Sequence, residues 1–307
     1  MPNLEPNVPP PRRVTPLEMP AVPRDGLRFP LTRDQLVARV RDALDEDGAF
    51  NDITTIATVR SDRRARAALV ARQGGTIAGI PFALETFRML DPKASMRVDI
   101  EDGKRAMRGE TVIYISGHAR ALLSAERVAL NFLMRMSGVA TLTSRYVDAV
   151  RGTGVKILDT RKTTPGWRAL EKYAVRAGGG TNHRMDLASS VLIKDNHLAA
   201  VDGHVEIAIR RARELAPPGA RVEIECITVD QVSAAATAGA DIILLDNMPL
   251  DLMKECVKVT ARRAELEASG GVTLENVRAI AGTGVDMISI GALTHSAAAM
   301  NLALDFE

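Results

Sequence analysis

Hydrophobic and polar positions alternate in two different ways along the chain, and the change falls near residue 150. Before it, short strand-like and helix-like stretches are mixed. A capping-box pattern at Thr32 and Gln35 starts the first predicted helix, Pro81 suits the first position of another, and a long helix is predicted from about Ala119. Strands are predicted at 65–71, 75–80, 96–100 and 111–116. This mixture predicts an α/β sandwich domain.

From residue 155 onward, a buried strand, a polar or glycine-bearing loop and a helix recur in that order. Thr228 and Gln231 repeat the capping pattern before one of these helices, and another is predicted to begin after Thr273 and to end at Gly282. Successive strand ends lie about 20–35 residues apart, which is the size of βα units. The apolar runs end at Leu158, Ile193, Ile224, Leu245, Leu266 and Ile290. Six such units predict a parallel, barrel-like α/β domain with its active site at the C-terminal edge of the strands.

Three segments follow from these patterns. Residues 1–25 are rich in proline and poor in apolar side chains, which is typical of a disordered leader. Residues 26–128 are assigned to the sandwich domain and residues 129–295 to the barrel domain. The C-terminal segment, 296–307, is expected to pack back onto the sandwich domain.

Composition narrows the function classes open to this chain of 307 residues. Aromatic residues make up only 3% and the net charge is +2, which disfavours a stacking platform or a basic footprint for nucleic acid. No apolar run reaches transmembrane length, and no secretory signal is visible. Cys226 and Cys256 are too few for a disulfide framework. We therefore expect a cytoplasmic protein with buried cysteines that binds neither nucleic acid nor a membrane.

Cationic side chains are concentrated between residues 159 and 197. Seven lysines and arginines stand there against four acids, a surplus of three in a chain whose total is +2. A solvated surface is the ordinary explanation. However, Arg161 and Lys162 follow one predicted buried strand and Lys194 follows another, which is where an α/β fold carries its chemistry. The excess therefore favours a binding site for a polyanion.

Carboxylates follow two successive predicted strands of the barrel. Glu225 and Asp246 could act as acid and base, bind sugar hydroxyls or hold Mg²⁺ through oxygen ligands. They could equally cap helices or pair with a lysine at the same edge. Glu223 shares a strand face with Glu225, so spacing alone does not choose between them.

Glycine-bearing loops follow the last two predicted strands. Ser269, Gly270 and Gly271 come after one strand, and Gly291 comes after the next. Each loop alone is more often a simple turn, but two consecutive late βα loops are a common phosphate site at the edge of a barrel. Together with the cations and the carboxylates, they predict a small, phosphorylated, multiply anionic substrate bound with Mg²⁺.

Several long motifs identify a resemblance that runs from about Asp47 to Ala298. They are ERVALN at 126–131, DTRKTTPG at 159–166, EKYAVR at 171–176, GGGTNHR at 178–184, LIKDNH at 192–197, LLDNM at 244–248, ASGG at 268–271 and IGALTHS at 290–296. In this order they resemble the quinolinate phosphoribosyltransferase family. The resemblance implies an α/β fold of type II phosphoribosyltransferases: an N-terminal α/β sandwich domain and an open, about six-stranded α/β barrel.

The resemblance also implies a reaction and its cofactor. Quinolinate and phosphoribosyl pyrophosphate would give nicotinate mononucleotide, pyrophosphate and CO₂, a step of de novo NAD synthesis, with Mg²⁺. Lys162 would contact phosphoribosyl pyrophosphate, and Glu225 and Asp246 would serve its ribose and the metal ion. These three residues and Lys194 are the predicted catalytic groups.

Substrate-binding residues are implied in the same way. The two quinolinate carboxylates would be held by Arg161, His183, Arg184 and Lys194. The 5′-phosphate would be bound by Ser269, Gly270, Gly271 and Gly291. Arg127 would come from a neighbouring subunit, so the resemblance implies a homodimer, or a hexamer built of dimers, with shared active sites.

Three other functions remain open at this point. A phosphoribosyltransferase for nicotinate or another pyridine would share the fold but would not need Arg161, Arg184 and Lys194 together for a second carboxylate. A barrel aldolase could use Lys194 as a Schiff-base nucleophile. A non-catalytic nucleotide-binding protein could keep the fold, although Lys162, Glu225 and other predicted catalytic groups are all present.

Overall fold

The structure is a computed structural model that describes residues 26–307. The proline-rich leader, residues 1–25, was predicted to be disordered and lies outside the described residues. The described chain forms two compact units, one of residues 26–138 and 299–307 and the other of residues 139–298. The division falls at Gly138, whereas the sequence placed it at residue 128. One continuous helix runs through both positions, so the apolar pattern carries no break there.

The first unit contains the predicted mixture of strands and helices. Its helices are α1 (Arg33–Glu46), α2 (Ile53–Thr58), α3 (Ile80–Leu90) and α4 (Ala119–Ala149), of which α4 continues beyond the unit. Its strands are β1 (Arg64–Ala71), β2 (Gly75–Thr76), β3 (Ser95–Val98), β4 (Arg105–Ala106) and β5 (Thr111–His118).

Two local predictions, at the start of α1 and just before α3, had different outcomes. Thr32 accepts a hydrogen bond from the Gln35 N–H and Gln35 reaches back to the Thr32 N–H, so the predicted capping box is confirmed. The strand predicted at 75–80 is wrong beyond Thr76. Gly79 has φ +107°, which L side chains rarely adopt, and the chain turns there directly into α3.

The second unit repeats strand and helix. Its strands are β6 (Lys156–Leu158), β7 (Val191–Ile193), β8 (Val222–Cys226), β9 (Ile242–Asp246), β10 (Glu265–Ser269) and β11 (Met287–Ser289). Its helices are α5 (Arg168–Ala177), α6 (Asp195–Ala199), α7 (Val205–Leu215), α8 (Val229–Thr237), α9 (Leu250–Thr260), α10 (Val277–Ala281) and α11 (Ala292–His295).

A last strand, β12 (Leu302–Phe306), completes the first unit. It pairs antiparallel with β1, and the sheet order is β12-β1-β5-β3. One face of this sheet packs against α3 and α4 through a core that includes Leu69, Phe87, Ile113 and Leu133. The C-terminal segment therefore supplies an edge strand to this unit's sheet.

Six parallel strands form the sheet of the second unit, in the order β6-β11-β10-β9-β8-β7. Within the described residues β6 and β7 do not pair, so the sheet is open between them. The predicted fold class, a sandwich domain and an open six-stranded parallel α/β domain, is confirmed. All six strands run in one direction, so their C-terminal ends lie at one edge.

One helix of the second unit begins later than predicted. α10 starts at Val277 rather than just after Thr273, although it ends at Gly282 as expected. The Asn276 side chain accepts a hydrogen bond from the Thr273 N–H at 2.8 Å and donates to the Gly271 carbonyl at 2.9 Å. These bonds hold residues 271–276 as a turn, so the helical pattern cannot begin there.

None of the helices within residues 26–307 combines the length and the apolar character needed to cross a bilayer. Cys226 and Cys256 are both free and buried, as the sequence predicted.

Candidate active site

The C-terminal ends of the six parallel strands surround one pocket of about 960 Å³. It is lined by eleven of the twelve predicted site residues: Arg161, Lys162, His183, Arg184, Lys194, Glu225, Asp246, Ser269, Gly270, Gly271 and Gly291. These residues come from strand ends and loops spread over 130 positions of sequence, 161 to 291. The parallel sheet brings them together because every strand delivers its loop to the same edge.

Arg127 is the one predicted site residue that the structure does not place here. It is exposed on α4 in the first unit, whereas the described lining of the pocket belongs entirely to residues 139–298. Its predicted role in a neighbouring subunit stays a prediction.

Two arginines form the cationic side of the pocket. Arg184 donates through Nη1 to the Ser190 carbonyl at 3.0 Å, which fixes one end of its guanidinium. The Nε of Arg161 is buried and has no hydrogen-bond partner among the described residues. Burial and the charge of Arg161 both lower the pKa of Arg184. Two guanidinium groups that repel each other, one with an unused donor, favour an anion with more than one carboxylate.

Lys194 and Glu225 form an ion pair at the ends of neighbouring strands. The lysine Nζ lies 2.9 Å from Glu225 Oε2, and 48% of the lysine side chain is exposed against 12% of the glutamate. Lys194 is therefore neither desolvated nor unpaired. A Schiff-base lysine needs an uncharged amine in a dry pocket, so this arrangement does not favour the aldolase.

Asp246 is oriented by the residue that follows it. Asn247 Nδ2 donates to Asp246 Oδ2 at 2.9 Å, and Asn247 has φ +52°, in the left-handed region that asparagine tolerates better than most residues. A Cβ built on Gly270 would collide with the Asn247 carboxamide. Gly270 itself has φ +91°, so both space and backbone conformation require glycine there.

Gly291 meets a similar restriction in the last loop. A Cβ at this position would lie 3.0 Å from Lys162 Cδ and 3.1 Å from His295 Nε2. The two glycine-bearing loops therefore bring bare backbone to the pocket, as a phosphate site requires.

Three of the seven cations in the charge-rich stretch 159–197 lie outside the pocket lining: Arg168, Lys172 and Arg176. Lys172 is 2% exposed, and its ammonium donates to the Asp159 carboxylate, which is fully buried, and to the His183 carbonyl at 3.0 Å. Asp159 also accepts from Asn182 Nδ2 at 2.6 Å and from the His183 N–H at 2.9 Å. Burial raises the pKa of Asp159 and lowers that of Lys172, and the ion pair offsets part of each shift. This pair positions the loop that carries His183 and Arg184.

His183 lies deeper than the arginines. Its Nε2 is 3.1 Å from Glu223 Oε2 and 3.5 Å from Glu267 Oε2, and its Nδ1 accepts from the Arg184 N–H at 2.7 Å. Both ring nitrogens are thus engaged within the protein. Burial lowers the pKa of His183, but the Glu223 and Glu267 carboxylates raise it by more, so it lies above its ordinary value.

The structure also separates Glu225 from Glu223, which the sequence left equivalent. Glu225 lines the pocket, whereas Glu223 is 2% exposed and lies below it. Glu267 was not among the predicted residues. It stands two positions before Ser269 on β10, as Glu223 stands two positions before Glu225 on β8. The period of two along a strand could have placed both acids on the pocket face, one step deeper.

Comparison with known protein families matches nearly all of the described chain. Residues 52–137 match the model of the quinolinate phosphoribosyl transferase N-terminal domain, and residues 139–305 match the model of the C-terminal domain. The boundary between the two models coincides with the division between the two compact units.

Individual proteins agree with the family models. The chain is 46% identical to a nicotinate-nucleotide pyrophosphorylase [carboxylating] of Mycobacterium leprae, over 87% of this chain and 95% of that protein. It is 43% identical to a probable enzyme of the same name from Bacillus subtilis, over 85% and 89%. The crystal structure of NadC from Streptococcus pyogenes superposes with a TM-score of 0.85 at 39% identity, covering 90% of this chain and 99% of that one. Human nicotinic acid phosphoribosyltransferase, at 13% identity and a TM-score of 0.56, shares the fold.

Proposed function

The chain belongs to the quinolinate phosphoribosyltransferase family, and from this premise we propose that it transfers phosphoribosyl from phosphoribosyl pyrophosphate to quinolinate with loss of CO₂. The products are nicotinate mononucleotide, pyrophosphate and CO₂, as in de novo NAD synthesis. One observation carries this assignment: a single pocket has two mutually repelling arginines and a lysine near one set of strand ends, and carboxylates and bare glycine backbone near the others.

Binding of quinolinate follows from the cationic side. A planar dicarboxylate is matched by forked guanidinium donors, and each charge-assisted hydrogen bond contributes about 1.5–3 kcal/mol. Arg161, with its unused buried Nε, and Arg184, held at Ser190, are the two forks. Lys194 adds a third cation, which becomes available when a ligand separates it from Glu225.

The position of His183 refines its predicted role. Both of its ring nitrogens are engaged by Arg184 and the buried glutamates, so we assign it to support of Arg184 rather than to direct binding of a carboxylate.

The transfer step needs charge stabilisation at two places. Breaking the bond between ribose C1 and pyrophosphate leaves positive charge on the sugar and negative charge on the leaving group. The Glu225 and Asp246 carboxylates line the pocket and can stabilise the sugar cation, while Lys162 can stabilise the pyrophosphate. The pyridine nitrogen forms the new bond to C1, and the ring becomes cationic. The C2 carboxylate then leaves as CO₂, its bonding electrons stay at C2 beside the cationic nitrogen, and a proton replaces it.

Glu225 and Asp246 also fit Mg²⁺. They are carboxylate oxygens at the ends of adjacent strands, which is the donor type that Mg²⁺ prefers together with substrate phosphates. When bound, the ion would supply positive charge to the pyrophosphate. The Asn247 hydrogen bond keeps Asp246 oriented toward this role.

The main alternative is transfer to nicotinate or another monocarboxylate. Two carboxylates can pair with the three cations on one side of the pocket, whereas a monocarboxylate would leave part of that positive charge unpaired. The likeness to human nicotinic acid phosphoribosyltransferase is one of fold alone.

The decisive experiment offers both substrates in parallel. With phosphoribosyl pyrophosphate and Mg²⁺, we expect turnover of quinolinate, with one CO₂ and one pyrophosphate per nucleotide, and little turnover of nicotinate. Arg161→Ala should raise KM for quinolinate by about tenfold or more, since it removes at least one charge-assisted fork. Arg176→Ala is the matched control, an exposed arginine of α5 outside the pocket lining. Preferred turnover of nicotinate would overturn the dicarboxylate assignment.

We also propose that active sites are shared in a homodimer or a hexamer built of dimers. Arg127 is exposed and belongs to the first unit, which is compatible with service in another subunit's pocket. Arg127→Ala and Lys194→Ala should each be nearly inactive, and mixing them after dissociation and reassembly should restore activity through hybrid sites. Mixtures that stay inactive would contradict shared sites.

We place the enzyme in the cytoplasm. Its two cysteines are free and buried, which is typical of proteins in a reducing compartment. Cell fractionation with an antibody against the chain tests this location.

A further inference from the structure

We propose that the buried carboxyl group of Glu267 binds and releases a proton around neutral pH, and that its ionisation beneath the pocket weakens the binding of a dicarboxylate substrate. This inference rests on the proposed function only for the identity of the ligand. The proton itself is argued from the buried group formed by His183, Glu223 and Glu267.

Glu267 is the deepest acid of the second unit's parallel sheet. Its side chain is 1% exposed, against 3% for Glu223 and 11% for His183. Neither of its carboxylate oxygens has a hydrogen-bond partner among the described residues, and Oε2 lies 3.5 Å from His183 Nε2. An ionised carboxylate in such a place lacks the donors that would compensate for lost water.

The group has two carboxylates but only one imidazole donor to serve them. Glu223 lies 3.1 Å from His183 Nε2 and takes the closer contact. The His183 Nδ1 already accepts from the Arg184 N–H, which limits the imidazole to what Nε2 can donate. One imidazole N–H therefore faces two carboxylates, and a proton on Glu267 leaves a single carboxylate, that of Glu223, for this N–H to serve.

The surrounding groups do not supply a second counter-charge in contact. Lys172 of α5 is committed to Asp159, and Lys194 at the end of β7 is paired with Glu225. Arg184 and Arg161 lie toward the pocket, and Ser289 of β11 offers only a hydroxyl. Burial and the charge of Glu223 raise the pKa of Glu267 to about 7, with His183, Ser289 and Lys194 acting in the opposite direction.

A metal ion is the other way to neutralise this group. His183 and the two glutamates present one ligand atom each within 4.8 Å of one another, a spacing that a cation could bridge. His183 Nε2 already shares a hydrogen bond with Glu223 Oε1 at 3.4 Å, however, whereas neither carboxylate oxygen of Glu267 has a hydrogen-bond partner among the described residues. A single proton accounts for that one unpartnered side chain.

The protonation state of Glu267 affects substrate binding because its carboxylate lies close beneath the pocket. Glu267 stands two residues before Ser269, roughly 7 Å along strand β10 from that lining residue. Its Oε2 lies 3.5 Å from Nε2 of His183, which also lines the pocket. A negative charge at that distance through a poorly screened interior opposes a dianion. Because His183 also contacts the Arg184 backbone, the same charge acts on the support of one of the two arginines that receive the dicarboxylate.

The test compares the quinolinate KM of the wild type and Glu267→Gln from pH 6 to pH 8.5. Glutamine has the shape of the protonated acid but cannot ionise. The wild-type KM should rise relative to that of the variant as the pH passes about 7, by on the order of tenfold at the alkaline end, while the two curves converge toward pH 6. Effects of substrate phosphate ionisation are common to both enzymes and cancel in the ratio.

Glu265→Gln is the matched control. Glu265 stands on the same strand, but its side chain is 40% exposed and pairs with Arg221 at the surface. Its KM curve should follow that of the wild type. Parallel curves for wild type and Glu267→Gln across the whole range would overturn the inference, because a purely structural role would shift KM without changing its dependence on pH.

A second readout does not depend on activity. In infrared difference spectra of the full-length protein, the carbonyl band of a protonated carboxylic acid should be present at pH 6, fade as the pH rises through about 7 and be missing from Glu267→Gln. Absence of the band from the wild type would overturn the inference even if quinolinate is turned over. A stoichiometric metal ion in the purified wild type that is lost in Glu267→Gln would also overturn it, since the cation would then take the place of the proton.

Discussion

Two buried acidic clusters lie beneath the same loop of the second unit, and they are built in opposite ways. The balanced cluster consists of Asp159, Lys172 and Asn182, and the unbalanced cluster consists of Glu223, Glu267 and His183. In the first, one carboxylate meets one ammonium and every charged group has hydrogen-bond partners. In the second, two carboxylates share one imidazole and both oxygens of one acid lack partners.

The difference separates a scaffold from a proton-sensitive group. Removing one partner of a buried, fully hydrogen-bonded ion pair leaves an uncompensated charge, so the balanced cluster holds the backbone of the loop at His183 in place. A buried carboxylate without a counter-charge favours its protonated form, so the unbalanced cluster changes its charge with pH. Adjacent residues of one loop, Asn182 and His183, connect the two.

The largest expected effect comes from breaking the balanced cluster. Lys172→Met leaves the Asp159 carboxylate buried without its counter-charge and should cost about 3–5 kcal/mol in the free energy of unfolding. Urea unfolding measures this loss. The double variant Asp159→Asn, Lys172→Met should recover a large part of it, because it removes both charges; no recovery would mean that Lys172 acts through its packing rather than through the ion pair.

Removing a neutral member of the same cluster should cost less. Asn182→Ala deletes the hydrogen bonds that the side-chain amide donates to Asp159 Oδ2 and to the Lys172 carbonyl, at 2.6 and 2.8 Å. We expect a loss of about 1.5–3 kcal/mol in the same assay, because one of these bonds is to a charged group. A loss equal to that of Lys172→Met would show that the cluster is not organised around its ion pair.

The contribution of the unbalanced cluster to the free energy of unfolding should change with pH. The pKa of Glu267 in the folded protein, about 7, lies above its ordinary value of 4.5, so the native state keeps a proton that the unfolded chain has released. The contribution of Glu267 to stability is therefore fully present below about pH 4.5 and is lost as the pH rises to about 7. Relative to the wild type, Glu267→Gln should gain on the order of 3 kcal/mol in unfolding free energy across this window. A stability difference that does not change with pH would contradict the raised pKa.

The smallest effect is expected at the surface. Glu265 lies on strand β10, as Glu267 does, and forms an exposed ion pair with Arg221 that Glu265→Gln breaks. Its cost should stay within about 0.2–1 kcal/mol and should shrink in high salt. A larger loss would mean that strand β10 itself, rather than burial of Glu267, determines the sensitivity of this region.

Much of the fold could be predicted because its signals are local. Capping at Thr32, the helix at Pro81 and the recurring strand–loop–helix units depend on a few neighbouring residues, and all three are present in the structure. The predictions that failed, the long strand at 75–80 and the early start of α10, lie where Gly79 or Asn276 turns the backbone. Such turns depend on a single conformation or hydrogen bond rather than on a repeating pattern.

The sequence by itself determined the family, the two kinds of domain and eleven residues that line one pocket. These follow from motif order and from the rule that parallel strands deliver their loops to one edge. Only the tertiary structure decided which charges face that pocket. It paired Lys172 with Asp159 out of reach of a ligand, set Glu223 below Glu225 and brought Glu267 next to His183. Burial and charge pairing are made between strands and helices far apart in sequence, so no local pattern contains them.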